Sequence, residues 1–300
     1  MQYIKKICLL CNTNDYTKIK FRQNFNYENL NTTVFSARRI TEHYHYQILE
    51  CTRCGFLFSS PILPLEVISK LYENSLQTYD NETDDIANSY MQYIVDNNTL
   101  FKCVRALEVG CGSGFMLPHL KAYGYEEVYG VEPSVEAISK AGEFKNVIFN
   151  GIIENADYPN NFFDLICCFQ TLDHLVNPLE TLKRIFDLLS PGGIAYIIVH
   201  NQKSLQAKIF MEKSPIYDVE HIYLFNKKTL PLICKKAGFD IVKIFDVKNI
   251  YPLSYWIKMA PIPFKNFITA VVKAVGLADK KIAIYPGNVG IFIQKPCQLN

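Results

Sequence analysis

Several things are missing from this 300-residue chain, and each absence narrows its function. No run reaches the roughly eighteen apolar residues that a membrane-spanning helix requires. The N-terminus, Met1-Gln-Tyr-Ile-Lys-Lys-Ile-Cys8, carries no apolar export segment, so a cytoplasmic location is expected. In a reducing compartment the ten cysteines are not expected to form disulfides, and pairs of them more often bind metal. Charge of one sign is also lacking. The net charge of +2 argues against a protein that wraps nucleic acid, so no nucleic-acid partner is expected. Internal repeats and low-complexity tracts are absent. With 49% hydrophobic residues, the chain can bury one large core and a smaller one.

A further absence is informative. The segment Ala106-Leu-Glu-Val-Gly110-Cys-Gly112-Ser-Gly114-Phe115 reads as a strand, a glycine turn and a helix start. A dinucleotide fingerprint needs a third glycine where this chain has Phe115. Glu108, just before the turn, would repel a pyrophosphate but suits a ligand bearing an ammonium group. Eighteen residues past Gly114, the apolar run Val128-Tyr-Gly-Val131 ends in Glu132, a carboxylate placed to accept hydrogen bonds from a ribose diol. S-adenosylmethionine has a ribose, an amino-acid end and no phosphate, and it fits this pattern.

Three segments differ in character. Residues 1–60 are rich in Asn, Thr and Tyr and contain Cys8-Leu-Leu-Cys11 and Cys51-Thr-Arg-Cys54, separated by 39 residues. Two such knuckles can close a tetrahedral sulfur shell around a structural zinc, with no open position for substrate. His43 and His45 lie between the pairs, where extra ligation is unneeded. Residues 61–102 show helical spacing and read as a linker or lid. Within them, 62–100 carry Glu66, Glu73, Asp80, Glu82, Asp84, Asp85 and Asp96 against Lys70 alone. Residues 103–300 alternate strands and helices, as expected of an α/β Rossmann-like fold: a mostly parallel seven-stranded sheet with helices on both faces. The expected strands are 104–109, 126–131, 146–149, 163–169, 193–199, 239–247 and 288–295, with Pro191-Gly192-Gly193 as a turn before the fifth.

LEVGCGSG, VYGVEPS, Phe163-Asp164, LDHLVNPLETLKRIFDLLSPGG and EHIYLFNKKTL occur in this order, and together they resemble the class I S-adenosylmethionine-dependent methyltransferases. The resemblance implies that Glu108, Gly110, Cys111, Gly112 and Gly114 hold the methionine part. Glu132 with Pro133 would hold the ribose, and Gln170 and Leu172 would border the methyl group. The usual acidic adenine position falls on Ile152, so no polar adenine contact is assigned. CTRCGFLFSSP is similar to the second knuckle of a zinc ribbon that precedes some glycan-pathway methyltransferases. That likeness implies zinc at Cys8, Cys11, Cys51 and Cys54. Cys103, Cys111, Cys167, Cys168, Cys234 and Cys297 lack such spacing and read as small buried hydrophobes.

Methyl transfer to a hydroxyl or an enolisable carbon needs a base, and histidine titrates near working pH. Glu220-His221 resembles a pair in sugar C-methyltransferases in which the histidine is the base, and also an architectural pair in O-methyltransferases. His174 is a second catalytic candidate, with a loop-holding role as the alternative. His200 could touch either ligand, whereas His119 reads as an ordinary helix residue. The insertions 200–228 and 248–283 are expected on the acceptor side. Residues 248–281 hold six lysines and one acid, and the aromatic stretch 250–281 could meet a membrane or lipid-linked substrate, a lid or dimer face being the alternative.

A further C-terminal domain like that of sugar C-methyltransferases is not expected, and Gln170-Thr-Leu-Asp173 stands where RNA-modifying enzymes carry an Asn/Asp-Pro-Pro-aromatic string. The expected acceptor is therefore a small molecule, a sugar hydroxyl in glycan biosynthesis. Two alternatives are C- or N-methylation of a nucleotide-linked sugar, and a non-catalytic cofactor-binding module whose zinc ribbon binds protein or RNA.

Overall fold

Short β-rich pieces open the chain in the computed structural model, which describes residues 3–30, 34–35, 43–75, 83–260 and 264–297. Strands β1 (Thr17–Phe21), β2 (Ile48–Cys51) and β3 (Leu57–Ser59) pair antiparallel, and helices α1 (Leu65–Glu73) and α2 (Thr83–Val95) follow. Residues 76–82 of the expected linker and 261–263 of the expected lid lie outside the described residues.

The larger layer then begins. Its elements are β4 (Arg105–Val109), α3 (Leu117–Tyr123), β5 (Glu127–Glu132), α4 (Val135–Ser139), β6 (Ile148–Asn150), β7 (Phe163–Phe169), α5 (Pro178–Leu188) and β8 (Leu189–His200). After these come α6 (Leu205–Phe210), β9 (Tyr223–Leu224), α7 (Thr229–Lys236), β10 (Asp240–Pro252), α8 (Leu253–Met259), α9 (Lys265–Ala274) and β11 (Lys281–Gln294).

Seven strands form one sheet in the order β10-β11-β8-β7-β4-β5-β6. The five from β8 to β6 are parallel, and β11 enters antiparallel between β8 and β10. This is the expected Rossmann-like sheet. Central β4 and β7 are covered on both faces, which is why they read as nearly unbroken apolar runs. Helix α5 starts with Pro178, whose missing N–H costs nothing in a first turn, and buries Leu182, Ile185 and Leu188. Ser134 caps α4, its Oγ accepting from the Ala137 N–H at 3.2 Å.

Two features depart from the sequence reading. Pro191-Gly192-Gly193 does not end the preceding segment; it lies inside β8. Gly192 has φ +78°, and the register against β7 shifts between Phe163 and Leu165, so the glycines make an irregularity within the strand. Strands β10 and β11 also outrun the sheet. Asn249↔Ile284 to Pro252↔Lys281 form a two-stranded arm that carries α8 and α9 at its tip. None of the described helices is long and apolar enough to cross a membrane.

The smaller sheet has the order β1-β2-β3-β9, and its last strand comes from far along the chain. Leu57 pairs with Leu224 and Phe58 with Tyr223. Phe56 stacks on Tyr223 at 5.9 Å and packs on Phe225 at 5.4 Å. One apolar core therefore runs from Cys8 and Phe58 to Leu107 and Ile166. Phe58→Ala should cost about 3–5 kcal/mol, as large-to-small changes of buried aromatics do. Denaturant titration should show that loss in a single transition shared by both sheets.

Candidate active site

The cofactor-side residues converge at the C-terminal ends of β4, β5 and β7. Gly110, Gly112 and Gly114 all have positive φ (+71°, +54° and +68°), a region where side chains are strained. A Cβ on Gly110 would also lie 2.4 Å from Thr171 Oγ1, so the turn is pressed against the loop after β7. Cys111 is buried beneath the turn, and a Cβ on Gly130 would meet its Sγ at 2.6 Å. That contact explains a glycine in the middle of β5.

Glu132 Oε2 accepts from the Gly112 N–H at 2.9 Å and Oε1 from the Ser134 N–H at 2.8 Å. Each oxygen keeps a lone pair for a further donor. Burial raises the Glu132 carboxyl, although those two amides oppose the shift. Glu108 is buried and its Oε2 has no hydrogen-bond partner among the described residues. Burial, with the Glu132 charge beside it, pushes its carboxyl well above the usual range. An orphaned acceptor of this kind calls for a cationic donor. The amino-acid end of S-adenosylmethionine supplies one, so the residues fit that cofactor.

Gln170 stands after β7 with φ +51°, donating Nε2 to Tyr90 Oη at 3.4 Å while its Oε1 lacks a partner among the described residues. Leu172 is buried, and Pro133 O accepts from Asn150 Nδ2 at 3.0 Å. Ser134 Oγ donates to Ser75 O at 3.0 Å, which brings the chain after α1 over this end of the sheet. Ile152 is exposed.

The four spaced cysteines meet at one point, their sulfurs all within 4.8 Å of one another. Cys8 Sγ lies 3.5 Å from Cys54 Sγ, and Cys51 Sγ 3.8 Å from Cys11 Sγ. A tetrahedral zinc with Zn–S bonds of about 2.3 Å needs sulfur–sulfur edges of about 3.8 Å, so the donor set fits zinc. His45 is not a fifth ligand. Its Nδ1 bonds Tyr46 O at 2.8 Å and its Nε2 faces Glu212 Oε1 at 3.1 Å. Of the other cysteines, Cys111, Cys167, Cys168 and Cys234 are buried, but Cys297 is exposed and Cys103 only half-buried. The uniform burial expected for these six therefore does not hold.

The histidines gather around a residue that sequence reasoning missed. Asp173, 1% exposed, ends the loop after β7. Its Oδ2 accepts from His200 Nδ1 at 2.9 Å and from the His200 backbone N–H at 3.2 Å. Burial alone would raise this carboxyl. The hydrogen bond and charge of His200, with His174 and His221 nearby, hold it well below the usual carboxylate range. The His200 ring is partly open to solvent and lies 4.5 Å from that of His221, while His174 lies 4.8 Å from His221 on another side.

His221 Nδ1 donates to Ile216 O at 2.9 Å, which leaves Nε2 as the acceptor nitrogen. Burial, with His200 and His174 beside it, pushes His221 well below its ordinary pKa and keeps the ring neutral. His174 Nδ1 meets Tyr72 Oη at 3.2 Å. Glu220 is buried, and its N–H donates to Asp218 Oδ1 at 3.2 Å. His119 faces Asp84 on α2, away from these groups. The overlooked signal was an aspartate directly before His174 at the end of a buried apolar strand.

A family described as a methyltransferase domain matches residues 76–244. The chain belongs to that family. The methyltransferase is 33% identical over 198 residues to the tRNA U34 carboxymethyltransferase of Helicobacter acinonychis, covering 60% of this chain and 72% of the relative. It is 31% identical over 158 residues to an uncharacterized methyltransferase of Schizosaccharomyces pombe, covering 46% of this chain and 54% of the relative, so it spans about half of that protein. Among solved structures, the complex between the Trm112 methyltransferase activator of Haloferax volcanii and a methyltransferase aligns with a TM-score of 0.52. The identity is 15%, over 73% of this chain and 93% of that one, and it supports the fold alone.

These findings correct one expectation. A sugar acceptor with no nucleic-acid partner does not agree with relatives that are named for tRNA. Net charge is a whole-chain sum and hides local excess. Seven acids between residues 62 and 100 offset basic residues elsewhere. The reading of 250–281 as a membrane or lipid-substrate contact was part of the same expectation and is dropped with it.

Two outcomes follow from this geometry. Elemental analysis of the purified methyltransferase should return one zinc per chain, and Cys51→Ser should lose it. For Asp173, folding depresses the carboxyl pKa. The ionised group therefore stabilises the fold above its unfolded value of about 4, and that contribution is lost as pH falls toward the folded value. Asp173→Asn should lower the melting temperature most at neutral pH, with the gap from the parent shrinking below about pH 4.

Proposed function

We propose that this chain binds S-adenosylmethionine in the cleft bounded by the Gly110 turn and Glu132, and transfers its methyl group to an acceptor that loses a proton to His200. In this reading Glu108 pairs with the ammonium group, Glu132 accepts from the ribose, and Gln170 with Leu172 borders the reacting carbon. S-adenosylmethionine held there by Glu108 and Glu132 would supply an electrophilic methyl group. The protein's tasks are alignment, exclusion of water and removal of one proton.

The 2.9 Å bond from His200 Nδ1 to Asp173 carries this reading. A buried anion there fixes the tautomer, so Nε2 is the free acceptor on a ring that solvent, and hence an acceptor, can reach. His221 is more buried and kept neutral, and it serves as the adjoining wall. His174, tied to Tyr72, holds the loop after β7, and Glu220 positions His221 within its own turn. The cysteine cluster holds a structural zinc, since all four tetrahedral positions are filled by sulfur. The acceptor class follows the Helicobacter relatives: a nucleic-acid-type acceptor, with the methylated atom an O–H, N–H or acidic C–H.

His200→Ala should reduce kcat by about 10²–10⁴, the range for loss of a general base, while leaving S-adenosylhomocysteine affinity by calorimetry within a few-fold. His221→Asn should cost much less. Full activity in His200→Ala, or equal losses in both, would refute His200 as the base.

A further inference from the structure

Beyond the cofactor cleft, a second opening of about 550 Å³ lies at the other side of the sheet. It begins one residue past His200 and is framed by Asn201, Lys203, Asn226, Lys227, Lys228 and Tyr285. Three chain segments converge there. Asn288 pairs with His200 across β11 and β8, Asn201 N–H donates to Gly287 O at 2.8 Å, and Gln202 N–H donates to Phe225 O at 2.9 Å. The approach is tight, since a Cβ on Gly287 would meet Ser204 Oγ at 2.7 Å.

Buried asparagines fix the roots of the lysines. Asn201 Oδ1 accepts from the Lys203 N–H at 3.0 Å, and Asn226 Oδ1 from the Lys228 N–H at 2.8 Å. Asn201 and Asn226 are themselves nearly inaccessible. Of the three ammonium groups, only that of Lys227 is neutralised, by Asp246. Among the described residues Lys203 and Lys228 form no ion pair, so the opening keeps a charge excess of two. Tyr285 stands at its rim, 65% exposed, so one face of its ring is open to a ligand.

Two lysines with fixed backbones and no ion pair among the described residues, beside an exposed ring, match a phosphate next to a nucleobase, because ammonium groups take phosphate oxygens and rings stack on bases. We propose that this opening binds the phosphate-bearing part of the acceptor, with Lys203 and Lys228 on phosphate oxygens and Tyr285 against a base. The inference rests on the nucleic-acid-type acceptor proposed above and places its backbone one residue from the proposed base. The phosphate could belong to an RNA chain or to a single nucleotide.

The test uses the full-length chain loaded with S-adenosylhomocysteine, a labelled single-stranded RNA, a nucleoside 5′-monophosphate and the corresponding nucleoside. The double variant Lys203→Glu/Lys228→Glu should weaken RNA binding at least tenfold. It should also flatten the dependence of log affinity on log salt by about 1.4, two phosphate contacts at about 0.7 each. Tyr285→Ala should weaken binding about tenfold with the salt slope unchanged, as loss of one stacked base does. Lys145→Glu, at the opposite edge of the sheet, controls for overall charge and should change little.

RNA bound far more tightly than the monophosphate identifies a polynucleotide source. Saturable monophosphate binding that RNA does not improve, and that the double variant loses, identifies a single nucleotide. Either result supports the opening. It is overturned if the double variant binds like the parent, if Lys145→Glu weakens binding equally, or if the unphosphorylated nucleoside binds as well as the monophosphate. Unchanged S-adenosylhomocysteine affinity in the double variant verifies the fold. A fully active His200→Ala alongside a defective double variant would remove the base assignment and leave this one standing.

Discussion

Asp173 joins three separate stretches of chain. Its carboxylate takes two hydrogen bonds from His200 at the end of β8, and its main-chain oxygen takes the N–H groups of Ile222 and Tyr223, at 2.9 and 3.1 Å. A buried carboxylate is costly unless donors surround it, and here the donors are the elements that need fixing. The end of β7, the end of β8 and the segment around His221 are thereby held in one arrangement. Oδ2 is satisfied by His200, whereas the buried Oδ1 has no hydrogen-bond partner among the described residues and lies 3.9 Å from His174 Nε2.

The same segment connects the cysteine-bearing sheet to the site. Directly after His221 the chain becomes β9 and adds to β3, while Ser59 gives its N–H to Ile222 O at 2.8 Å and its Oγ–H to His221 O at 3.2 Å. The cysteine knuckles set the geometry of β2 and β3, so they brace His221 through backbone hydrogen bonds. The N-terminal sheet therefore adjoins the candidate site and shares its apolar core with the methyltransferase layer.

Charge is distributed with similar economy. The cofactor side gathers carboxylates, with Glu108 and Glu132 both buried near a site for a cationic ligand. Lysines concentrate across the sheet, where Lys203, Lys227 and Lys228 surround a single Asp246. Strand order alone separates the two regions: β4 and β5 carry the glycine turn and Glu132, β8 and β11 carry the basic opening, and β7 lies between. His200, at the end of β8, faces the junction. A chain with net charge +2 can present opposite fields at two ends of one sheet.

The sheet, the glycine turn and the four-cysteine cluster were legible in the order of residues. These depend on local chemistry: apolar runs that must be buried on both faces, glycines at positive φ, and cysteine pairs on tight knuckles. The sequence was weaker wherever a residue's meaning depends on distant neighbours. Gly192 looked like the end of a turn because its place within β8 is set by pairing with β7 and β11. The length of β10 and β11 was hidden because the arm beyond the sheet is held by distant partners: Ile250 N–H donates to Ser89 Oγ on α2, Lys281 pairs with Asp85, and Tyr251 is buried in the core. Asp173, in the loop after β7, and His200, at the end of β8, lie 27 residues apart, and their pairing is visible only once parallel β7 and β8 bring both strand ends together. The union of β3 with β9 spans a longer stretch of sequence still. Local pattern fixes which elements form, whereas a site built from the ends of several strands exists only after long-range pairing has placed them.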